Sequence, residues 1–312
     1  MKEEFDFYSK TALKSYNLNE SMRYQLGMLD SLDTFTRKHS ENVANISCRL
    51  CEYMHMNSNF TVYCTTCAYL HDIGKLFIPP KILQKNGPLT DEEYEVMKRH
   101  TTIGYKMCMD DPKLRPYSAG TIYHHEALNG TGYPKALTKK EIPIEGQIIR
   151  VADEFDAIVS KRQYKTHIGI TDTLKILIKE TEPSIPKSVT LKSIEKNTRI
   201  GKLNPKVVRA LFKVVTDDIN YEISSVFEYT KYLDNQIKRL EKINDYNIKK
   251  ENVKKDKKKE YYSECMKLLF DKGEDFRNYK YALEEYRIAY LKRKKTIDSL
   301  FDEIKTIKKL RV

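Results

Sequence analysis

No stretch of the 312-residue chain approaches the roughly 20 consecutive apolar residues that a membrane span needs. The opening Met1–Lys10 is acidic and aromatic, so no secretory signal is read there. The chain also lacks a phosphate-binding G-x-x-x-x-G-K loop, a G-x-G-x-x-G turn and any internal repeat. Alternating apolar and polar positions are nearly absent from the first 216 residues, which excludes a β-rich domain there. Prolines number only 10, and aliphatic and aromatic residues are plentiful, so wholesale disorder is excluded as well. No concentrated basic block exists beyond Lys249–Lys259, and the net charge of +12 is spread along the chain. That balance suits a small anionic substrate as readily as a nucleic acid and chooses neither. The expected location is the cytoplasm, with the six cysteines reduced.

What is present reads as helix. Residues 1–28 form an amphipathic segment too short to fold alone. From Leu29 to Met54, Leu32, Phe35, His39, Val43, Ile46 and Leu50 recur at three- and four-residue steps, one face of a buried helix. Cys48-x-x-Cys51 and Cys64-x-x-Cys67 have zinc-ligand spacing but fall inside helical runs without the glycine turns of a zinc knuckle. They are expected to fill the core. The helix over Thr65–Leu70 is predicted to continue to Lys75, which places Lys75 on the face of His71 and Asp72. Pro79-Pro80 ends it. Thr90-Asp91-Glu92-Glu93 is a capping box opening a helix whose stripe is Val96, Met97, His100, Ile103 and Met107. His124-His125-Glu126 stands at a helix end, before the bend of Asn129-Gly130-Thr131-Gly132-Tyr133-Pro134. A helix from Gly146 carries Ile149, Asp153, Asp156 and Ser160 on one side, with Ile148, Ala152, Phe155 and Val159 in the core. Residues 171–180 and 203–216 are helical, joined by an extended loop around Pro183 and Pro186.

A lone histidine on an apolar stripe ordinarily bonds a carbonyl in the core. Here His39, His71, Asp72, His100, His124, His125 and Asp153 all point inward, whereas His55 and His167 stand outside the pattern. Seven ligands exceed what one metal uses. With one carboxylate bridging, they suit two divalent metals about 4 Å apart, a spacing used for phosphoester cleavage.

These pieces resemble the HD-GYP subgroup of HD-domain phosphohydrolases over residues 29–216. The matching segments are Arg37-Lys38-His39-Ser40, His71-Asp72-Ile73-Gly74-Lys75, Met97-Lys98-Arg99-His100, His124-His125-Glu126 with Gly132-Tyr133-Pro134, and Asp153-Glu154-Phe155-Asp156-Ala157. The resemblance implies an all-α, HD-domain helical bundle and a phosphodiesterase that opens cyclic di-GMP to the linear dinucleotide, and on to GMP in some members. It implies metal ligation by His39, His71, Asp72, His100, His124, His125 and Asp153, with Asp72 bridging and iron or manganese as the metals. Lys75 would contact the scissile phosphate. Tyr133, Arg162 and Lys165 would hold bases and phosphates, and Asp156 would have a supporting or substrate-contacting role. Phe35 stands where some relatives place a third-metal carboxylate, so two ions are expected. Thr101 replaces the usual proline, and the segment between Pro183 and Gly201 is longer than in typical members.

Residues 217–312 lie outside the match. Val226, Tyr229, Leu233, Ile237, Leu240 and Ile243 form one stripe. Phe276, Tyr279, Leu283, Tyr286, Tyr290, Ile297, Leu300, Ile304 and Ile307 form another, on either side of the charged break Lys249–Lys259. A helical hairpin or coiled coil is expected, with homodimerisation through helical segments as an open partner reading. A nucleic-acid polymer is not an expected partner. Two alternatives accompany the phosphodiesterase: a cyclic-dinucleotide sensor that binds without turnover and signals through these helices, and the same chemistry on cyclic GMP-AMP.

Overall fold

The computed structural model describes residues 34–159, 169–183, 200–270 and 278–311. The expected helix over residues 1–28, most of the loop between Pro183 and Gly201, and Arg162, Lys165, His167 and Phe276 lie outside the described residues. Among the described residues the chain is helical, and its β pairing is limited to an isolated bridge between Asn129 and Thr138. The all-α expectation holds. The chain divides into two compact units, one running to Val215 and taking in Leu310–Val312, the other Thr216–Lys309.

In the first unit the elements are α1 (Thr34–Tyr53), α2 (Ser58–Leu70), a 3-10 turn (Ile73–Phe77), α3 (Pro80–Leu83), α4 (Asp91–Lys98) and α5 (His100–Asp110). A 3-10 turn (Arg115–Tyr117), α6 (Ser118–Tyr123), α7 (Ile144–Val159), α8 (Ile170–Thr181) and the start of α9 (Pro205–Glu251) follow. α1 packs on α2 and α7. Val43, Ala44, Ser47, Leu50 and Cys51 of α1 are buried, the three- and four-residue recurrence of a helix facing a core. Asn57 starts α2 by accepting the Phe60 N–H at 2.9 Å. The buried hydroxyls of Thr61 and Thr65 are satisfied by carbonyls four residues back.

Cys48, Cys51, Cys64 and Cys67 are free and fully buried in α1 and α2, where they act as small core side chains. In α7, Ile148, Ile149, Val151 and Ala152 are fully buried. Phe155 and Val159, expected in the core, are only half-buried, because Asp153 and Asp156 take the inward side of its last turns.

The second unit is a helical hairpin with antiparallel arms α9 and α11 (Tyr279–Ile307). The short α10 (Asp256–Lys267) lies between them in the chain. The charged break shrinks to residues 252–255, because α9 runs through Glu251 and α10 begins at Asp256. Leu240 and Ile243, Met266, and Tyr279 and Leu283 join the three helices in one apolar cluster. Arg287 pairs with Glu241 at 2.7 Å, and the Tyr279 hydroxyl donates to Asn244 at 3.1 Å. Tyr229, on the expected core stripe of α9, is instead exposed, with the Arg293 guanidinium over its ring.

Candidate metal centre

His39 projects from the middle of α1. α2 does not continue to Lys75: it stops at Leu70, His71 caps it, and Asp72 leaves the helical region at φ −100°, ψ 6°. The chain then tightens into the 3-10 turn, and Lys75 pairs with the Asp72 carboxylate across three residues. Gly74 makes the next approach possible. A Cβ there would lie 2.0 Å from the His100 carbonyl oxygen, so only glycine lets the Asp72 turn abut the start of α5. The stripe expected on one helix from Val96 to Met107 is broken at Arg99 into α4 and α5, and His100 begins the second of them. The Thr90–Glu93 capping box opens α4 as expected. His124 caps α6 and His125 follows it.

The loop after His125 is held by Glu126. This buried carboxylate accepts the backbone N–H groups of Lys135 at 2.7 Å and Leu137 at 2.8 Å. Gly132 lies so close to the backbone of residues 125–127 that a Cβ would come within 2.5 Å of it. Tyr133 donates its N–H to the His125 carbonyl at 3.1 Å and stacks its ring on the His125 imidazole, centroids 4.6 Å apart and planes at 25°. Lys98 lies over the Tyr133 ring at 5.8 Å and over Tyr94 at 5.3 Å.

The seven inward residues meet at one place. His39 Nε2 lies 3.0 Å from Asp153 Oδ1 and 3.8 Å from Asp72 Oδ2. His71 Nε2 lies 3.2 Å from Asp72 Oδ2 and 3.9 Å from Asp153 Oδ1. On the other side, His100 Nε2 is 3.4 Å and His124 Nε2 is 3.9 Å from Asp72 Oδ1. His125 Nδ1 is 3.9 Å from Asp153 Oδ2. The two oxygens of Asp72 thus face different halves of the cluster. Three overlapping triads have ligand atoms close enough for one ion each: His39, His71 and Asp153; His100, His124 and His125; and His71, Asp72 and His124.

The backbone fixes the tautomers. The Nδ1 atoms of His71, His100 and His124 lie 2.6, 2.7 and 2.8 Å from the carbonyls of Ala68, Met97 and Gly120. A carbonyl only accepts, so each Nδ1 carries the proton and each Nε2 presents a lone pair. Burial holds His124 and His125 well below the usual histidine range and lowers His100 to about 4. These imidazoles are neutral, as metal ligands must be. Burial works against the Asp72 carboxylate, but the Lys75 ammonium paired with it helps hold it well below the usual carboxylate range. Burial likewise opposes charge on His39, yet Asp153 and Asp156 raise it to about 9.

Unprotonated His100 Nε2 and His124 Nε2 face each other at 3.2 Å. Two lone pairs at that distance repel unless positive charge stands beside them. The buried His71 Nε2 and Asp72 Oδ1 also find no hydrogen-bond partner. Neutral imidazoles with lone pairs converging on ionised carboxylates are a donor set that fits divalent cations.

Asp156 is placed behind His39, its Oδ2 at 2.6 Å from His39 Nδ1 and its Oδ1 accepting from Asn42 at 3.0 Å. Of its two expected roles, that is the supporting position. Asn42, three residues after His39 on the same helix face, was missed, although that spacing was readable. Glu126 was noted only as part of a motif. The paired carbonyls of Ala68, Met97 and Gly120 carry no sequence signal at all. His55, left out of the set, sits in the turn after α1 with φ +56°. The side chain of Phe35, like Arg162 and Lys165, is outside the described residues.

Comparison with known proteins bears on the same region. A family model described as an HD domain matches residues 23–185. The chain is 41% identical over 172 residues to a cyclic di-GMP phosphodiesterase of Thermotoga maritima, covering 53% of this chain and 47% of that protein. It is 38% identical over 151 residues to the cyclic di-GMP phosphodiesterase PdeB of Borreliella burgdorferi, covering 48% and 40%. Against the 3'3'-cGAMP-specific phosphodiesterase 1 of Vibrio cholerae the identity is 30% over 153 residues, covering 48% and 35%. The chain therefore spans half or less of the length of these relatives.

Proposed function

This chain belongs to the HD domain family, and from that premise we propose that it is a metal-dependent phosphodiesterase that linearises cyclic di-GMP. The observation that carries the reading is the convergence of five imidazoles and two carboxylates, with His71 Nε2 and Asp72 Oδ1 buried and without a hydrogen-bond partner. The similarity to named cyclic di-GMP phosphodiesterases supports the choice of substrate. The triad His39, His71 and Asp153 would hold one divalent ion and His100, His124 and His125 a second, with Asp72 shared between them. Iron or manganese suits this mixture of imidazole and carboxylate. Bound there, such ions supply charge neutralisation for the phosphodiester and an acidified water.

The chain's own groups do the rest. Asp72 presents one oxygen to each half of the cluster, so a single carboxylate sets the spacing of both halves. Lys75, only 16% exposed, brings an ammonium beside Asp72, where it would hold the substrate phosphate and donate to the leaving 3′ oxygen. Tyr133 keeps His125 in orientation by stacking. With Tyr94 and Lys98 beside it, it offers an aromatic, cationic rim for a guanine base. Burial holds the Tyr133 phenol protonated. Arg162 and Lys165 remain proposed contacts for the dinucleotide's phosphates, where a guanidinium fork suits such oxygens.

The test is product analysis of protein loaded with iron or manganese against a panel of cyclic dinucleotides. Linear pGpG from cyclic di-GMP, with none from Asp72→Ala, is the expected result. Binding without product would favour the sensor. Turnover of cyclic GMP-AMP in preference would change the substrate, a reading favoured by similarity to the Vibrio cholerae enzyme.

A further inference from the structure

We propose that Arg150 binds the second, uncut phosphodiester of a cyclic dinucleotide; this rests on the phosphodiesterase reading above. The seven side chains of the cluster are not equally enclosed. His39, His71, Asp72, His100 and His124 are each 5% exposed or less, whereas Asp153 is 14% and His125 23% exposed. A substrate anion therefore reaches the cluster past His125 and Asp153, whose Nδ1 and Oδ2 atoms lie 3.9 Å apart. Arg150 stands at that opening. It precedes Asp153 by three residues on α7, so the two side chains leave the same side of the helix, with Cβ atoms about 5–6 Å apart. Burial is the largest influence on the proton affinity of His125 and of Tyr133, and the positive charge of Arg150 reaches both.

The guanidinium is under-bonded where it stands. The side chain is only 18% exposed, and its buried Nε finds no hydrogen-bond partner. Among the described residues its one acceptor is Glu154, a turn further along α7. Nη2 lies 3.4 Å from Glu154 Oε2, longer than the usual N–H···O bond. A guanidinium withdrawn from water is costly until its N–H groups are bonded, and its planar fork matches two oxygens of a phosphate. A cyclic dinucleotide carries two phosphodiesters in one small ring. With one of them at the cluster, the other is brought within a side chain's length of the opening, and Arg150 meets it by turning away from Glu154.

Steady-state kinetics of the full chain loaded with manganese test this, with cyclic di-GMP and with bis(p-nitrophenyl) phosphate, a diester that has a single phosphate and no base. Arg150→Gln should raise KM for cyclic di-GMP about tenfold or more, and KM for the single-phosphate probe far less, because only the first loses a bond to a charged group. Glu154→Gln should act in the opposite direction and lower KM for cyclic di-GMP, since it releases Arg150. In the Arg150→Gln background Glu154→Gln should no longer do so. Cyclic di-AMP, as a competitor of the probe, should lose affinity by the same factor in Arg150→Gln, since it shares the phosphates but not the base edges. Metal content and far-ultraviolet circular dichroism verify that each variant folds and keeps its ions. The proposal is overturned if both single variants raise KM, the sign of a structural ion pair, or if both substrates lose alike. It is overturned equally if cyclic di-GMP loses affinity and cyclic di-AMP does not, which marks a guanine contact. Hydrolysis of the probe but not of cyclic di-GMP by the unaltered chain removes the substrate reading itself, and this proposal with it.

Discussion

Replacing Asp156 by Asn separates a supporting carboxylate from a substrate contact. In the structure both oxygens of Asp156 are committed, Oδ2 to His39 Nδ1 at 2.6 Å and Oδ1 to the Asn42 amide at 3.0 Å, and the side chain is 7% exposed. Asparagine keeps the shape and one acceptor but loses the negative charge behind the imidazole. A hydrogen bond to a charged group contributes about 1.5–3 kcal/mol. At about 1.4 kcal/mol per tenfold, the substitution should weaken metal binding at the His39 triad by roughly 10–100-fold, the usual effect of losing the carboxylate behind a ligating histidine. Activity should then fall at limiting metal and recover as metal is raised, with KM for the cyclic dinucleotide little changed. Metal titration followed by elemental analysis gives the affinity, and initial rates at several metal concentrations give the rescue. If Asp156→Asn keeps full metal affinity but raises KM, or loses activity that no excess of metal restores, the supporting role is refuted.

Three further outcomes follow from the same geometry. Metal at about 100 times its dissociation constant should stabilise the first unit by ~2.7 kcal/mol, seen as a higher Tm that chelator reverses; an unmoved Tm would remove the cation from the cluster. Gly74→Ala should cost about 1–3 kcal/mol in denaturant unfolding and weaken metal binding, because its Cβ forces the Asp72 turn off the His100 carbonyl. Burial raises Cys67 and Cys108 to about 12, so the protonated form, present below that pKa, is the only one populated at pH 8. An alkylating reagent at pH 8 should therefore label the half-exposed Cys265 in the native protein and reach the five buried thiols only after unfolding; early labelling of α1 or α2 cysteines by mass spectrometry would contradict that packing.

Much of the site was legible because its ligands obey a local rule. His39 falls on the apolar period of its own helix, and a histidine or aspartate that shares a buried stripe has few chemical reasons to be there. Residues with a local turn signal were equally readable: the Thr90 capping box and the glycine-rich bend after His125 both stand where their residue types require. The misreadings share one cause. The helix drawn to Lys75 and the helix drawn through Arg99 both break where the chain turns so that His71, Asp72 and His100 can converge, and convergence is a long-range demand that period does not encode. Phe155 and Val159 lost their core places because two carboxylates took the inward side of the same turns. The α10 helix was hidden in a lysine run that reads as loop by charge alone.

Residue order alone therefore determined the helical class, the identity of the seven inward side chains and the absence of a membrane-spanning helix among the described residues. It determined them because helical period, ligand chemistry and apolar run length are properties of neighbouring residues. The tertiary structure decided which atoms meet. It turned one oxygen of Asp72 toward each half of the cluster, set Asp156 behind His39 and not toward solvent, and locked three imidazoles on backbone carbonyls. Those contacts join residues up to 117 positions apart, and only the packing of α1 against α7, with the close approaches at Gly74 and Gly132, brings them within bonding distance.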